Sequence, residues 1–121
     1  MRRVVIATAL AAAVAVPGHV AAHHAWNEID TGRTLTLTGT VKSLKWENPH
    51  ASLVLETVDH GTRVEWTVLM SGLARMSQRG VERGTVAVGR TLTIVASPAR
   101  DEPHVVRANR IDGDGEEHVL Y

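Results

Sequence analysis

The chain has no cysteine and no phenylalanine, and its aromatics amount to three tryptophans and one tyrosine in 121 residues. Without cysteine there is no disulfide, no thiol nucleophile and no residue to carry a lipoprotein anchor. Without phenylalanine, the core of any domain must be filled by aliphatics together with Trp46 and Trp66. An excess of either charge is also missing, since 13 Lys and Arg stand against 13 Asp and Glu. Setting aside Arg2 and Arg3 leaves 11 basic against 13 acidic residues. That balance argues against nucleic acid as a partner, whose affinity rests on neutralising phosphates, and against a polybasic membrane surface. Long hydrophobic runs are absent as well. Val4–Val16 is uncharged and apolar over 13 residues, short of the roughly 20 that a spanning helix needs.

That short run has the build of a secretory signal. Arg2 and Arg3 precede it, Pro17 and Gly18 break it, and Val20-Ala21-Ala22 offers the small residues that a signal peptidase reads. An uncleaved anchor is the competing reading of the same run. The expected organisation is a signal peptide over 1–22, an N-terminal arm over 23–33 and one domain over 34–121, in the periplasm or secreted, with no stable membrane anchor after cleavage. Cleavage after Ala22 leaves 99 residues, enough for a single small core.

The domain alternates with period two. Leu35, Leu37, Gly39 and Val41 interleave with threonines and Lys42; the phase then slips, and Leu44 and Trp46 become the apolar pair. A one-residue slip turns the inward set outward unless a bulge absorbs it, and Ser43 is the expected position. Ala51–Glu56 and Arg63–Val68 alternate as a hairpin about Asp59-His60-Gly61. Ser71–Gly80 switches to helical spacing, with Ser71 as N-cap candidate and Gly80 placed for the C-terminus. Leu92–Ala96 and Val105–Ile111 are two further strands, Ser97–His104 a loop, and Glu116–Tyr121 a short edge strand. The order β-β-β-α-β-β predicts a mainly β fold, a small five-stranded OB-like β-barrel with one short helix between strands three and four. An open sandwich or meander is the alternative.

Several stretches also resemble a known family. His23-His24, Leu37-Thr38-Gly39-Thr40-Val41, Trp46-Glu47-Asn48-Pro49-His50-Ala51, Trp66, Leu73–Gly80, Gly89 and Ser97-Pro98-Ala99-Arg100-Asp101 are similar to DUF6152, a group of small secreted bacterial proteins of unknown function. The likeness spans nearly all of the chain after the signal. The departures are Ala25-Trp26 after the histidine pair and Glu102-Pro103 where the family tends to have Gly. The resemblance implies an exported domain and no particular activity.

The residues suggest binding rather than catalysis. A chain starting at His23 would offer a free α-amine, with an unperturbed pKa of about 7.7–8.0, and an imidazole that chelate one ion together. His24 adds a second imidazole and His50 a third. Nitrogen donors of this kind suit Cu(II), then Zn(II) or Ni(II). Against this, His23 and His24 at a chain end and His50 in a loop read more readily as solvated or locally bonded residues. Reach matters too: the first strand is about 36–40 Å long if straight, so the arm meets His50 only by lying back along the barrel. The second candidate is a ligand or partner-protein face of an OB barrel, where the loops flanking strands two and three carry Trp46, Asn48, His50, Arg100, Asp101 and His104. Trp46 and Trp66 also fall in inward phases, which makes them core candidates. Asp112–Glu117 is too short for a calcium loop and reads as an acidic surface turn, and His118 as a solvated edge residue. No nucleophile setting or phosphate loop is present. A copper enzyme with an N-terminal histidine brace is the remaining catalytic alternative.

Overall fold

The computed structural model describes residues 28–121; the expected signal peptide, His23, His24 and Trp26 lie outside the described residues. Six strands, β1 (Leu35–Lys45), β2 (Ser52–Asp59), β3 (Thr62–Leu69), β4 (Thr91–Pro98), β5 (Val105–Asp112) and β6 (Glu117–Val119), are joined by the helix α1 (Leu73–Gln78) and a 3-10 turn (Arg83–Val86). The strands follow the order β3-β2-β1-β4-β5-β6, and an added parallel pairing of β3 with β5 joins the ends. The result is a closed five-strand barrel with β6 attached outside to β5 and α1 between β3 and β4, as the element order predicts.

The closure depends on β1. Its first half, Leu35–Thr40, pairs with β4, and its second half, Thr40–Lys45, pairs with β2. One strand thus belongs to both sides of the barrel. The phase slip is a bulge: Val41 faces Leu55 and Ser43 faces Val54, so Lys42 is the extra residue, one position before the expected Ser43. The extra residue keeps both Val41 and Leu44 facing inward. Gly39 sits where the two halves part. A Cβ there would run into the Glu56 carbonyl and approach Leu55 Cγ at 3.2 Å, so only a residue without a side chain permits the crossing.

The β2–β3 hairpin closes on two residues. Asp59 pairs with Thr62, and His60 and Gly61 have φ of 48° and 80°, which is a type I′ turn. Helix α1 differs from expectation at its start and agrees at its end. Ser71 does not cap it, because the helix starts at Leu73 and Ser71 lies one position before the N-cap; its carbonyl accepts the Ala51 N–H at 2.9 Å and so prolongs the β2–β3 pairing. Gly72 holds the N-cap position without any side-chain bond of its own. At the C-terminus, Gly80 has φ of 82°. Its N–H donates to the Ser77 carbonyl at 3.0 Å, and the Val81 N–H to that of Met76 at 2.9 Å. These are the two bonds of a Schellman motif, and Met76 and Val81 are both fully buried.

The core is aliphatic, as the lack of phenylalanine requires. Leu53 and Leu55, Leu92 and Ile94, Val106 and Ile111, Met70 and Met76 fill the barrel; Trp46 and Trp66 are half-buried and pack against its rim. Ser97–His104 is not wholly a loop. Strand β4 continues through Pro98, and Ala99 bridges to Ile29. The strand persists because the arm pairs with it: the Pro98 carbonyl accepts the Asp30 N–H at 2.9 Å.

Replacing Gly39 with Ala is expected to destabilise the barrel by about 1–3 kcal/mol or more through forced overpacking. Gly84→Ala, where nothing lies within 4 Å of the new methyl, should stay within about 0.5 kcal/mol of the parent. Urea denaturation of the two variants measures the difference.

Candidate functional site

The arm and three connecting segments decide where chemistry can occur. Ile29 bridges to Ala99, and the Arg100 N–H donates to the Glu28 carbonyl at 2.8 Å. Asp30 then turns the chain, accepting the Gly32 N–H on Oδ1 at 3.2 Å and facing the Arg100 guanidinium at 3.6 Å. The arm thus turns at Asp30-Thr31-Gly32 and is pinned to the body at Ile29. Because the bridge is antiparallel, the chain upstream of Glu28 starts beside Arg100. That is the end of the barrel where β1 and β3 begin and where the β4–β5 loop carries His104.

A groove opens at this end. Strand β1 follows β4 up to Thr40 and pairs with β2 only from there on, whereas β2 continues with β3 to the hairpin tip. The parting strands leave a space of about 420 Å³ lined by Thr36, Leu37, Thr38, Thr57, Val58, Asp59, Val64, Trp66 and His104. Three of its side chains, Thr36, Thr38 and Thr57, offer hydroxyls. The Trp66 indole N–H donates to Thr57 Oγ1 at 3.2 Å, and Thr57 Oγ1 donates to the Val64 carbonyl at 3.4 Å. The indole nitrogen is therefore satisfied, leaving the ring as an apolar wall. Val58 on the rim is 68% exposed.

His104 completes the wall in a conformation that few side chains adopt. Its φ is 56°, in the left-handed region, which costs a non-glycine residue about 1–3 kcal/mol. Two contacts hold it there: the His104 carbonyl accepts the Thr67 N–H at 2.9 Å, and its imidazole meets Trp66 edge-on, with centroids 4.9 Å apart.

Three other sequence candidates, Trp46, Asn48 and His50, lie at the far end of β1. Trp46 is half-buried against the core. Asn48 is engaged structurally. Its Oδ1 accepts the Leu73 N–H at 3.0 Å, 25 residues away, and so caps α1 in place of Ser71. The Asn48-Pro49 peptide is cis. His50 is half-buried just before Ala51. The fold therefore brings Trp46, Asn48 and His50 together on one loop, and Arg100 and His104 on another, with the length of β1 between the two sets. Arg100 is exposed and engaged with Asp30, and Asp101 is exposed beside it. Sequence reasoning missed Trp66 as a groove residue. The available signal was the run Thr57–Asp59, which carries β2 beyond its partner β1.

A second cluster sits at the acidic turn. Ligand atoms of Asp114, Glu116 and His118 lie within 4.8 Å of one another. His118 is not solvated as the sequence suggests; it is 9% exposed. Its Nδ1 lies 3.0 Å from the Arg79 carbonyl at the end of α1, and its Nε2 lies 3.3 Å from both Asp114 oxygens. The hydrogen bond from His118, reinforced by the Glu116 N–H, holds the Asp114 carboxyl below its ordinary value of 3.8. The cluster ties the turn after β5 to the C-terminus of α1.

A family model, described as "Family of unknown function (DUF6152)", matches residues 10–106. No curated protein matches the chain.

Two outcomes are expected. Asn48→Ala should lower stability by about 0.5–2 kcal/mol, the usual cost of a lost helix cap, measured by chemical denaturation. A carboxyl with a depressed folded-state pKa contributes stability that is present above its unfolded pKa and lost as pH falls through the folded one. The melting temperature of Asp114→Asn should therefore lie below the parent near neutrality and converge with it as pH falls below about 3.8.

Proposed function

We propose a function from one premise: the chain belongs to DUF6152, a family of unknown function. The protein is an exported, non-catalytic binding domain, and its binding end is the one that bears the groove and the departing arm. The observation that carries this reading is the coincidence of those two features. The arm is fixed to β4 at Ile29 and Asp30, and the uncovered Trp66–His104 wall stands at the same end.

The sharper form is a transition-metal site at the processed N-terminus. His23 lies five positions before Glu28, a reach of at most about 18 Å when extended. Anchoring at Glu28–Asp30 shortens the free segment and lowers the ordering entropy of a site built on it. The amine and imidazole of His23 with the imidazole of His24 supply nitrogens suited to Cu(II), with Zn(II) or Ni(II) weaker or slower to compete. A third imidazole comes from His50 or from His104. The path of the arm favours His104, since His50 follows the other end of an 11-residue strand about 36 Å long if straight. The second reading has no metal: the groove takes a small ligand or a side chain of a partner protein against Trp66. The exposed Val58 and the satisfied indole N–H favour it, because they leave an apolar surface that asks for no specific polar partner.

The test is a Cu(II) titration of the chain beginning at His23, followed by calorimetry and by electron paramagnetic resonance. The expected result is sub-micromolar binding, lost in His23→Ala and weakened about tenfold or more in His104→Ala but not in His50→Ala. Binding no tighter than that of a short His-His peptide would remove the metal reading and leave the groove. Weakening in His50→Ala alone would return the third ligand to the β1–β2 loop.

A further inference from the structure

The outer face of β4 and β5 carries a cavity of about 470 Å³ that shares no residue with the groove; Thr31, Thr34, Ser97, Arg107, Asn109, Arg110 and Tyr121 are among its lining. It is built by a second bulge. Val95 faces Arg110, but Ala96 faces Ala108, so Asn109 is the extra residue of β5. A bulge re-aims side chains, and this one gathers Arg107, Asn109 and Arg110 on the cavity side of a single strand. Sequence reading treats Arg107–Arg110 as an ordinary strand and gives no sign of it.

The hydrogen bonds of this cluster do not balance. Asn109 Nδ2 donates to Ser97 Oγ at 2.8 Å, and Arg107 Nη2 donates to Asn109 Oδ1 at 3.1 Å. Ser97 is 1% exposed, and among the described residues its hydroxyl proton has no acceptor. Arg107 Nε is buried and without a hydrogen-bond partner. Among the described residues no carboxylate pairs with Arg107; its guanidinium lies over the Tyr121 ring at 4.2 Å. Arg110 meets Glu117 at 3.3 Å on the surface, both about half exposed. Both acceptors of the cluster, Asn109 Oδ1 and Ser97 Oγ, are already engaged, and among the described residues the partly buried guanidinium faces no carboxylate. A guanidinium has five N–H donors and no acceptor capacity, and withdrawing it from water unpaired is costly.

The geometry points to a binding site for a small oxyanion, a carboxylate or a phosphate, in this cavity. An acceptor-only, negatively charged group supplies what the cluster lacks. Arg107 offers a forked edge to two of its oxygens, and the Ser97 hydroxyl turns its proton toward the same group while still accepting from Asn109. Thr34 stands at the rim as a further hydroxyl. The Tyr121 ring, 44% exposed, lies over the guanidinium and also meets Arg75, forming one wall of the site. The site is independent of the metal and groove readings, because it uses none of their residues.

The experiment is a nitrogen-15 NMR titration of the chain with sodium phosphate and, separately, sodium acetate, each against sodium chloride of matched ionic strength. The Arg107 Nε–H and Asn109 Nδ2 resonances are expected to move saturably with at least one oxyanion and not with chloride, and the stronger of the two names the ligand class. Arg107→Gln should abolish the saturable response, and Ser97→Ala should weaken it by about fivefold to tenfold, the worth of one hydrogen bond. Shifts that follow ionic strength alone would overturn the proposal, as would saturable binding that persists unchanged in Arg107→Gln. If that variant does not fold, the response of the Arg107 Nε–H in the parent chain decides the matter by itself.

Discussion

The barrel stands or falls on the approach of two backbones at Gly39. Strand β1 must leave β4 and join β2 within a few residues, and at the point of transfer its Cα lies against the Glu56 carbonyl. Everything downstream uses that crossing. The bulge at Lys42 restores the inward phase after it, β2 and β3 continue past it to the hairpin, and β3 and β5 then meet to close the ring. A core of valine, leucine, isoleucine and methionine fills the interior because the side chains that enter are small enough for a five-strand circumference.

The same crossing separates the two ends of the molecule. Where β1 parts from β2, the sheet opens into the groove under Trp66 and His104. Where β1 ends, the chain is consumed by packing: Asn48 caps α1, Ala51 pairs with Met70 and Ser71, and Trp46 lies against the core. The barrel therefore has a structural end and an open end, and the arm enters at the open one.

The fold was legible because strand periodicity is a local signal. The alternation from Leu35 to Val41, its slip before Leu44, and the change of period at Ser71 are visible without knowing any long-range contact, and together they specify the element order. What escaped were matters of register and of contact at a distance. Ser71 has the chemistry of an N-cap, yet it falls one position before the helix's N-cap, and the capping oxygen comes from a residue 25 positions before Leu73. His118 has the pattern of an edge residue, and only the Arg79 carbonyl, brought over it by the fold, makes it a buried one. The bulge at Asn109 has no signature in Arg107–Arg110, because inserting one residue into a strand whose outer face is polar breaks no apolar pattern. Trp66 falls in an inward phase, as a core residue would; only the departure of β1 uncovers its ring.

Asn48 has a consequence for how this scaffold can change. A loop that caps a distant helix is not free to drift: altering its tip alters the start of α1, and with it the seating of Met76 in the core. The hairpin tip at His60–Gly61 and the acidic stretch Asp101–Glu102 carry no such obligation. Diversity introduced for new recognition, by selection or by design, is therefore tolerated at the open end of the barrel and penalised at the other. The two loops that flank an OB-like barrel are in this chain unequal as evolutionary material.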